Sequence, residues 1–327
     1  MELFEGLKQN ISGKKVTIVF PEPTDVRVLG AAVRLKSDGL VEPILIGNPS
    51  EVNKIANSRA LMIDHLTIID PEKYDKMDEM VEAFIARRKG KATEDQARQI
   101  LKDENYFGTM LVYMDLADGL VSGAIHSTGD TIRPALQIVK TKPGVSRTSG
   151  AFLMVGNRDS EKYIFSDCAI NINPDAQALA EIAVESAKTA ELFGIDPKVA
   201  LLSFSTKGSA KSEEVTKVAE ATKIAQELAP ELAIDGELQF DASYVPAVAS
   251  QKAPDSKVAG NATVFVFPEI QSGNIGYKIA QRLGGFQAIG PILQGLNKPI
   301  SDLSRGCNEE DVYKLSIITA SQALQEK

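Results

Sequence analysis

Lys15-Val16-Thr17-Ile18-Val19-Phe20-Pro21-Glu22-Pro23-Thr24-Asp25-Val26 decides the fold class. Residues 15–20 are mostly apolar and β-branched, which predicts a buried strand, and Pro21 and Pro23 close it. Thr24 or Asp25 then caps a helix on which Val26, Leu29 and Val33 recur at helical spacing. Upstream, Leu3, Phe4, Leu7 and Ile11 fit one face of a short helix. Downstream, residues 41–46 predict a second apolar strand, 51–57 a short helix and 66–69 a third strand. Strands that are apolar throughout and separated by helices belong to a parallel sheet covered on both faces.

Residues 74–88 predict a helix with Met77, Met80, Val81 and Phe84 inward, and it runs into Arg87-Arg88-Lys89-Gly90-Lys91. Such charge is either a solvated helix end, favoured by the dipole, or a clamp for a phosphorylated ligand. Helices follow at 93–101 and 110–117. Residues 119–134 are dense in small and hydroxylated residues, with Thr131 placed to cap a helix, Arg133 in its first turn and Pro134 at its start. This pattern suits an anion cradle, although Gly-Asp-Thr also makes an ordinary turn. No G-x-G-x-x-G or G-x-x-x-x-G-K-[ST] occurs.

After Pro143 the character changes. Residues 151–155 and 162–167 flank Gly156-Asn157-Arg158-Asp159-Ser160 and predict an antiparallel hairpin, with a domain boundary just before it. Helices at 175–193, 212–228 and 274–283 then alternate with strands at 199–204 and 263–267. Asp235-Gly236-Glu237-Leu238-Gln239-Phe240-Asp241 reads as acidic and extended, with no histidine to make it a metal site. Pro268-Glu269-Ile270-Gln271-Ser272-Gly273-Asn274 is a strand-to-helix loop, where α/β proteins place ligand contacts.

A chain of 327 residues accommodates two cores. Its formal charge of −8 argues against nucleic acid as the main partner but leaves room for a local arginine cluster that binds a small anion. With two histidines, His65 and His126, histidine-based metal or triad chemistry is disfavoured. Cys168 and Cys307 make no disulfide framework, and the start of the chain lacks a signal-peptide pattern; both lead us to expect a cytoplasmic protein.

Near the C-terminus stands Lys298-Pro299-Ile300-Ser301-Asp302-Leu303-Ser304-Arg305-Gly306-Cys307-Asn308-Glu309-Glu310-Asp311, before a helix at 309–325 that turns Val312, Leu315 and Ile318 inward. Asn308 with Asp311 resembles a capping box, and Arg305 followed by Gly306 lets a backbone approach an anion at a helix N-terminus. On spacing alone both readings stand.

Five segments resemble the phosphate acetyltransferase family in its short, catalytic form. They are Ser127-Thr128-Gly129-Asp130-Thr131-Ile132-Arg133-Pro134-Ala135-Leu136, Asp235 to Asp241, Phe267-Pro268 with Ser272-Gly273-Asn274-Ile275-Gly276-Tyr277-Lys278, Gly290-Pro291-Ile292-Leu293-Gln294-Gly295-Leu296, and Asp302 to Cys307. The resemblance implies reversible transfer of an acetyl group between coenzyme A and inorganic phosphate. It implies an α/β fold of two three-layer α/β/α domains, similar to isocitrate and isopropylmalate dehydrogenases, with an interdomain cleft. Residues 1–145 and 296–327 would form the first domain and 146–295 the second, which would carry a homodimer contact. Coenzyme A, acetyl-CoA, acetyl phosphate and phosphate would be substrates, with no tightly bound cofactor and no metal.

By the same resemblance, Arg305 binds and polarises acetyl phosphate with help from Ser304. Arg133, Arg87 and Arg88 would meet coenzyme A, together with Ser127, Thr128, Gly129, Asp130, Thr131 and Asn274. Asp311 would take the thiol proton. A free Asp and a free thiol differ by a gap worth roughly 6 kcal/mol, so Asp311 is either a base with a raised pKa or a group that orients Arg305. Cys307 offers a rival covalent route, with no histidine nearby in sequence to activate it. Other readings are a phosphate butyryltransferase, a metal- and NAD(P)-dependent hydroxy-acid dehydrogenase of similar fold, and a two-lobed anion-binding protein.

Overall fold

The computed structural model describes residues 2–156 and 161–325; the expected hairpin loop at 157–160 lies outside them. In chain order the strands are β1 (Thr17–Phe20), β2 (Glu42–Ile46), β3 (Thr67–Ile69), β4 (Gly119–Ser122), β5 (Ser149–Val155) and β6 (Lys162–Ser166). They continue as β7 (Lys198–Leu202), β8 (Ala233–Leu238), β9 (Val264–Val266), β10 (Gln287–Gln294) and β11 (Ile300–Asp302). One compact unit runs to Thr141 and resumes at Leu296; the other spans Lys142 to Gly295.

The first unit is built on a parallel sheet of order β11-β4-β1-β2-β3. The predicted apolar run supplies its centre: Ile18, Val19 and Phe20 are wholly buried. Alternation along β1 separates the two covering layers. Val19 and Leu120 lie against Gly108 of the helix Glu104–Tyr113, whereas Ile18 and Gly119 lie against Thr319 of the helix Glu309–Gln325. Helix, sheet and helix therefore form three layers. Asp25, one of the two predicted caps, accepts from the Arg27 amide and starts the helix Val26–Ser37, which buries Val28, Leu29, Ala31, Ala32 and Leu35. Burying each such large apolar side chain contributes about 1.5–3 kcal/mol.

Two expectations change here. Residues 119–122, read as part of a loop, form β4, which pairs with both β1 and β11. The helix expected at 110–117 instead runs Glu104–Tyr113, because Asp103 caps it by accepting from the amides of Asn105 and Tyr106.

The second unit carries a mixed sheet of order β10-β5-β6-β9-β7-β8, antiparallel through β10, β5 and β6 and parallel beyond. Phe152, Met154, Phe165, Leu238 and Phe265 fill its core. The segment read as extended through Asp241 divides into β8 and a short helix, Phe240–Tyr244. β10 had no counterpart among the predicted strands, and its Gly290-Pro291 break falls at a register shift against β5. Among the described residues no helix is long and apolar enough to cross a membrane.

Candidate active site

The chain fills one side of β1 with β2 and β3, then crosses to the other side with β4 and β11. Loops leaving neighbouring strands diverge at such a reversal, so a crevice opens at the carboxyl edge of a parallel sheet. Three segments meet there: residues 21–27 after β1, 123–127 after β4 and 303–308 after β11.

Glu22 organises the second of them. Only 1% exposed, it accepts hydrogen bonds from the amides of Gly123, Ala124, Ile125 and His126, and from His126 Nδ1 at 2.6 Å. Burial alone would raise the Glu22 carboxyl, but those donors outweigh it and hold it below the ordinary range. The bond from Glu22 pushes His126 above its usual value against the opposing effect of burial.

Asp302, at the end of β11, is buried and accepts from Thr128 Oγ1 at 2.8 Å. Burial raises its carboxyl to about 6, although Thr128 and Thr131 pull the other way. Gly123 has φ +109°, and a Cβ there would sit 2.5 Å from Asp302 Oδ1 and 2.7 Å from the Leu303 backbone. Only glycine fits where β4 and β11 end side by side.

Past Asp302 the chain surfaces at Ser304, Arg305 and Gly306. The Cys307 amide donates to the Ser304 carbonyl, and Ser304 Oγ accepts from the Gly306 amide at 3.2 Å. The capping box is present: the Asn308 amide donates to Asp311 Oδ2 at 3.0 Å and the Asp311 amide to Asn308 Oδ1 at 2.9 Å. Asp311 is exposed, and its Oδ1 has no hydrogen-bond partner among the described residues. Arg305 has an exposed guanidinium with no partner among them. Its carbonyl, and that of Cys307, accept from Arg27. Cys307 is buried, which pushes its thiol up despite the opposing pull of Arg27.

The hydroxyl-rich segment starts its helix earlier than predicted. Ser127, not Thr131, is the cap, in a reciprocal box with Asp130, and the helix runs Thr128–Pro134. Pro134 lies inside the helical segment, which continues as a π-helical stretch through Ala135–Val139, instead of opening one, and Thr131 is buried beside Asp302 without hydrogen-bond geometry. Arg133 stands exposed, 3.8 Å from Asp130 Oδ1, with the Gly129 backbone beside its Nη2. Arg87 points inward, donating to the carbonyls of Ile138 and Val139 and stacking over Tyr113. Arg87 foremost, then burial, Lys89, Lys91 and Arg88, depress Lys140, which marks one cationic surface. Tyr106, raised by burial, feels Arg133 and Arg88 together. Asn274 belongs to the second unit, where its amide donates to the Cys168 carbonyl and its Oδ1 accepts from Lys278.

The family model described as phosphate acetyl/butaryl transferase matches residues 2–320. The chain belongs to that family. A phosphate acetyltransferase of Bacillus subtilis (strain 168) is 62% identical over 323 residues, covering 99% of each chain. A solved phosphotransacetylase from Streptococcus pyogenes is 63% identical with a TM-score of 0.98, covering 99% of this chain and 98% of that one. A branched-chain phosphotransacylase from Enterococcus faecalis V583, 18% identical at TM-score 0.67, shares the fold. The two-domain α/β class expected from sequence is thus the fold of this phosphate acetyl/butaryl transferase.

In this family member, sequence reading missed Glu22, Arg27 and the part played by Asp302. Glu22, in the strand-to-helix loop, and Arg27, in the first turn of the helix that follows, flank the Asp25 cap, the position that could have singled them out.

Proposed function

We propose that this enzyme transfers an acetyl group reversibly between coenzyme A and inorganic phosphate by direct attack within a ternary complex. The observation that carries the reading is Arg305: an exposed guanidinium without a protein partner among the described residues, on a backbone held from behind, in a chain of net charge −8. Its planar fork suits two phosphate oxygens of acetyl phosphate. Ser304, exposed beside it, assists at the same phosphoryl group.

The coenzyme A sulfur attacks the carbonyl carbon. The new C–S bond forms as the C–O bond to phosphorus breaks, phosphate leaves, and the thiol proton passes to Asp311 through its open oxygen. Arg305 stabilises the charge gathering on the carbonyl oxygen and the leaving phosphate. Burial of the Cys307 thiol disfavours its thiolate and so supports direct attack over an acetyl-enzyme.

Coenzyme A phosphates meet Arg133 and the cationic surface of Arg87 and Arg88. In the segment at 127–131, the Ser127, Asp130 and Thr128 side chains are already engaged, so they shape the site and Gly129 contributes backbone. Acetyl is favoured over longer acyl groups by the high identity to phosphate acetyltransferases. A homodimer formed through the second unit is supported by Ile275, Ile279 and Leu283, an exposed apolar row on the helix Ile270–Arg282 and its C-cap. Purified protein mixed with coenzyme A and acetyl phosphate is expected to form thioester; folded protein that forms none defeats the reading.

A further inference from the structure

Arg27 makes more hydrogen bonds in the candidate site than any other side chain outside Glu22, and it is distant in sequence from what it holds. Its Nε and Nη2 donate to the two oxygens of Asp25 at 2.9 and 2.8 Å. Nη2 also donates to the Ala124 carbonyl at 2.9 Å. Nη1 donates to the carbonyls of Arg305 at 2.9 Å and Cys307 at 2.8 Å. A guanidinium has five N–H donors, and here each has an acceptor. Nothing is left over for a substrate, so Arg27 acts on the protein alone.

The two carbonyls it grips flank Gly306, the one residue of the Ser304–Cys307 turn without a side chain to limit its backbone. Holding the carbonyls of the residues before and after a glycine limits the freedom that glycine introduces. The third carbonyl, of Ala124, lies on the loop that Glu22 holds by its amides. Residues 22 and 27 thus bracket both neighbouring loops from one strand end.

We propose that Arg27 is a positioning residue of the transfer reaction, setting where the Arg305 guanidinium stands by locking the backbone beneath it. The proposal rests on the role given to Arg305 above. Arg27→Ala frees two carbonyls beside Gly306, and misplacing a reacting group by about 1 Å costs on the order of 100-fold in rate. Lysine carries three donors on a flexible stem, so Arg27→Lys recovers part of the loss at most.

The experiment measures thioester formation and thermal midpoint for wild type, Arg27→Ala, Arg27→Lys, Asp25→Asn, Arg305→Lys and the double variant Arg27→Ala/Arg305→Lys. The expected result is a fall in kcat for Arg27→Ala of about 100-fold, a rise in KM for acetyl phosphate and an unchanged KM for coenzyme A. In the Arg305→Lys background the same change costs much less, because the two residues act as a unit. A purely structural role would lower the midpoint and reduce activity equally in both backgrounds; that outcome overturns the proposal. Should Arg27→Ala not fold, Arg27→Lys and Asp25→Asn, which keep a cation in place, give the same test. Wild type without thioester formation, or Arg305→Lys with wild-type kinetics, would instead defeat the function reading, and the positioning role with it.

Discussion

Thr128 Oγ1 donates to one carboxylate oxygen of Asp302 at 2.8 Å, while the other oxygen, equally buried, has no hydrogen-bond partner among the described residues. A carboxyl so placed is better off protonated, and burial raises it to about 6. Between the unfolded value near 4 and that folded value, the native state binds more protons than the unfolded state. Stability therefore falls as pH rises through this window, by up to about 3 kcal/mol for a shift of about two units. Asp302→Asn removes the penalty. Urea unfolding is expected to find the variant relatively more stable at pH 8, with the gap closing at pH 4; a gap independent of pH would contradict the assignment.

Within the Glu22–His126 pair the two partners act in opposite senses, His126 in the same sense as Asp302 and Glu22 against it. His126 is raised, so its contribution is complete below about 6.5 and lost as pH climbs through the folded value. Glu22 is lowered, so its contribution is present above about 4.3 and lost as pH falls through the folded value. The loop at 123–126 should be firmest between these limits. NMR titration of His126 is expected to give a midpoint above about 6.5 that returns toward it in Glu22→Gln. The same substitution weakens four amide contacts to a buried charge and should cost about 3 kcal/mol or more.

Asp311 separates cap from base. In Asp311→Asn the side-chain oxygen still accepts from the Asn308 amide, so stability should change by less than about 1 kcal/mol. Turnover is expected to drop about 100-fold or more, with substrate KM values largely retained. Loss of affinity at normal turnover would remove Asp311 from the proton transfer.

Arg133 and Arg87 differ in what their loss costs the fold. Arg133 is exposed, and Arg133→Ala should raise the KM for coenzyme A about tenfold, the equivalent of one phosphate contact, with no change in thermal midpoint. Arg87→Ala should lower the midpoint, since two carbonyls at 138 and 139 lose their donor at a cost of about 1–3 kcal/mol. An unchanged midpoint for Arg87→Ala would contradict this.

Cys307→Ala is expected to retain most activity in steady-state assays. Its thiol is buried and pushed up, which disfavours the thiolate that would attack. Capture of an acetylated Cys307 by mass spectrometry after incubation with acetyl phosphate would reverse that conclusion.

What could be read from sequence follows the range of the interactions. β1 and the Asp25 cap were legible because an apolar run and a cap act within a few residues. β4 was hidden because Gly119-Leu120-Val121-Ser122 is too short for any periodicity, and β10 because Gly290-Pro291 breaks its pattern. The Asn308–Asp311 box was legible at a separation of three. Glu22 and Arg27 were not: the first meets its partners across 101 to 104 residues, the second across as many as 280. Arg305 and Arg133 could be proposed from motifs, but the group that holds the Arg305 backbone gains meaning only once β1, β4 and β11 lie side by side.

β11 lies on the edge of a sheet whose other four strands are all complete by residue 122. During synthesis, β4 must therefore wait with one edge unpaired while the whole of the second unit emerges from the ribosome. A chain interrupted before Ile300 would lack β11, Arg305 and the helix that covers one face of β1. Translation order thus bears on the site: no copy that stops before residue 300 carries the arginine loop, and the outer edge of β4 stays open until β11 has joined it.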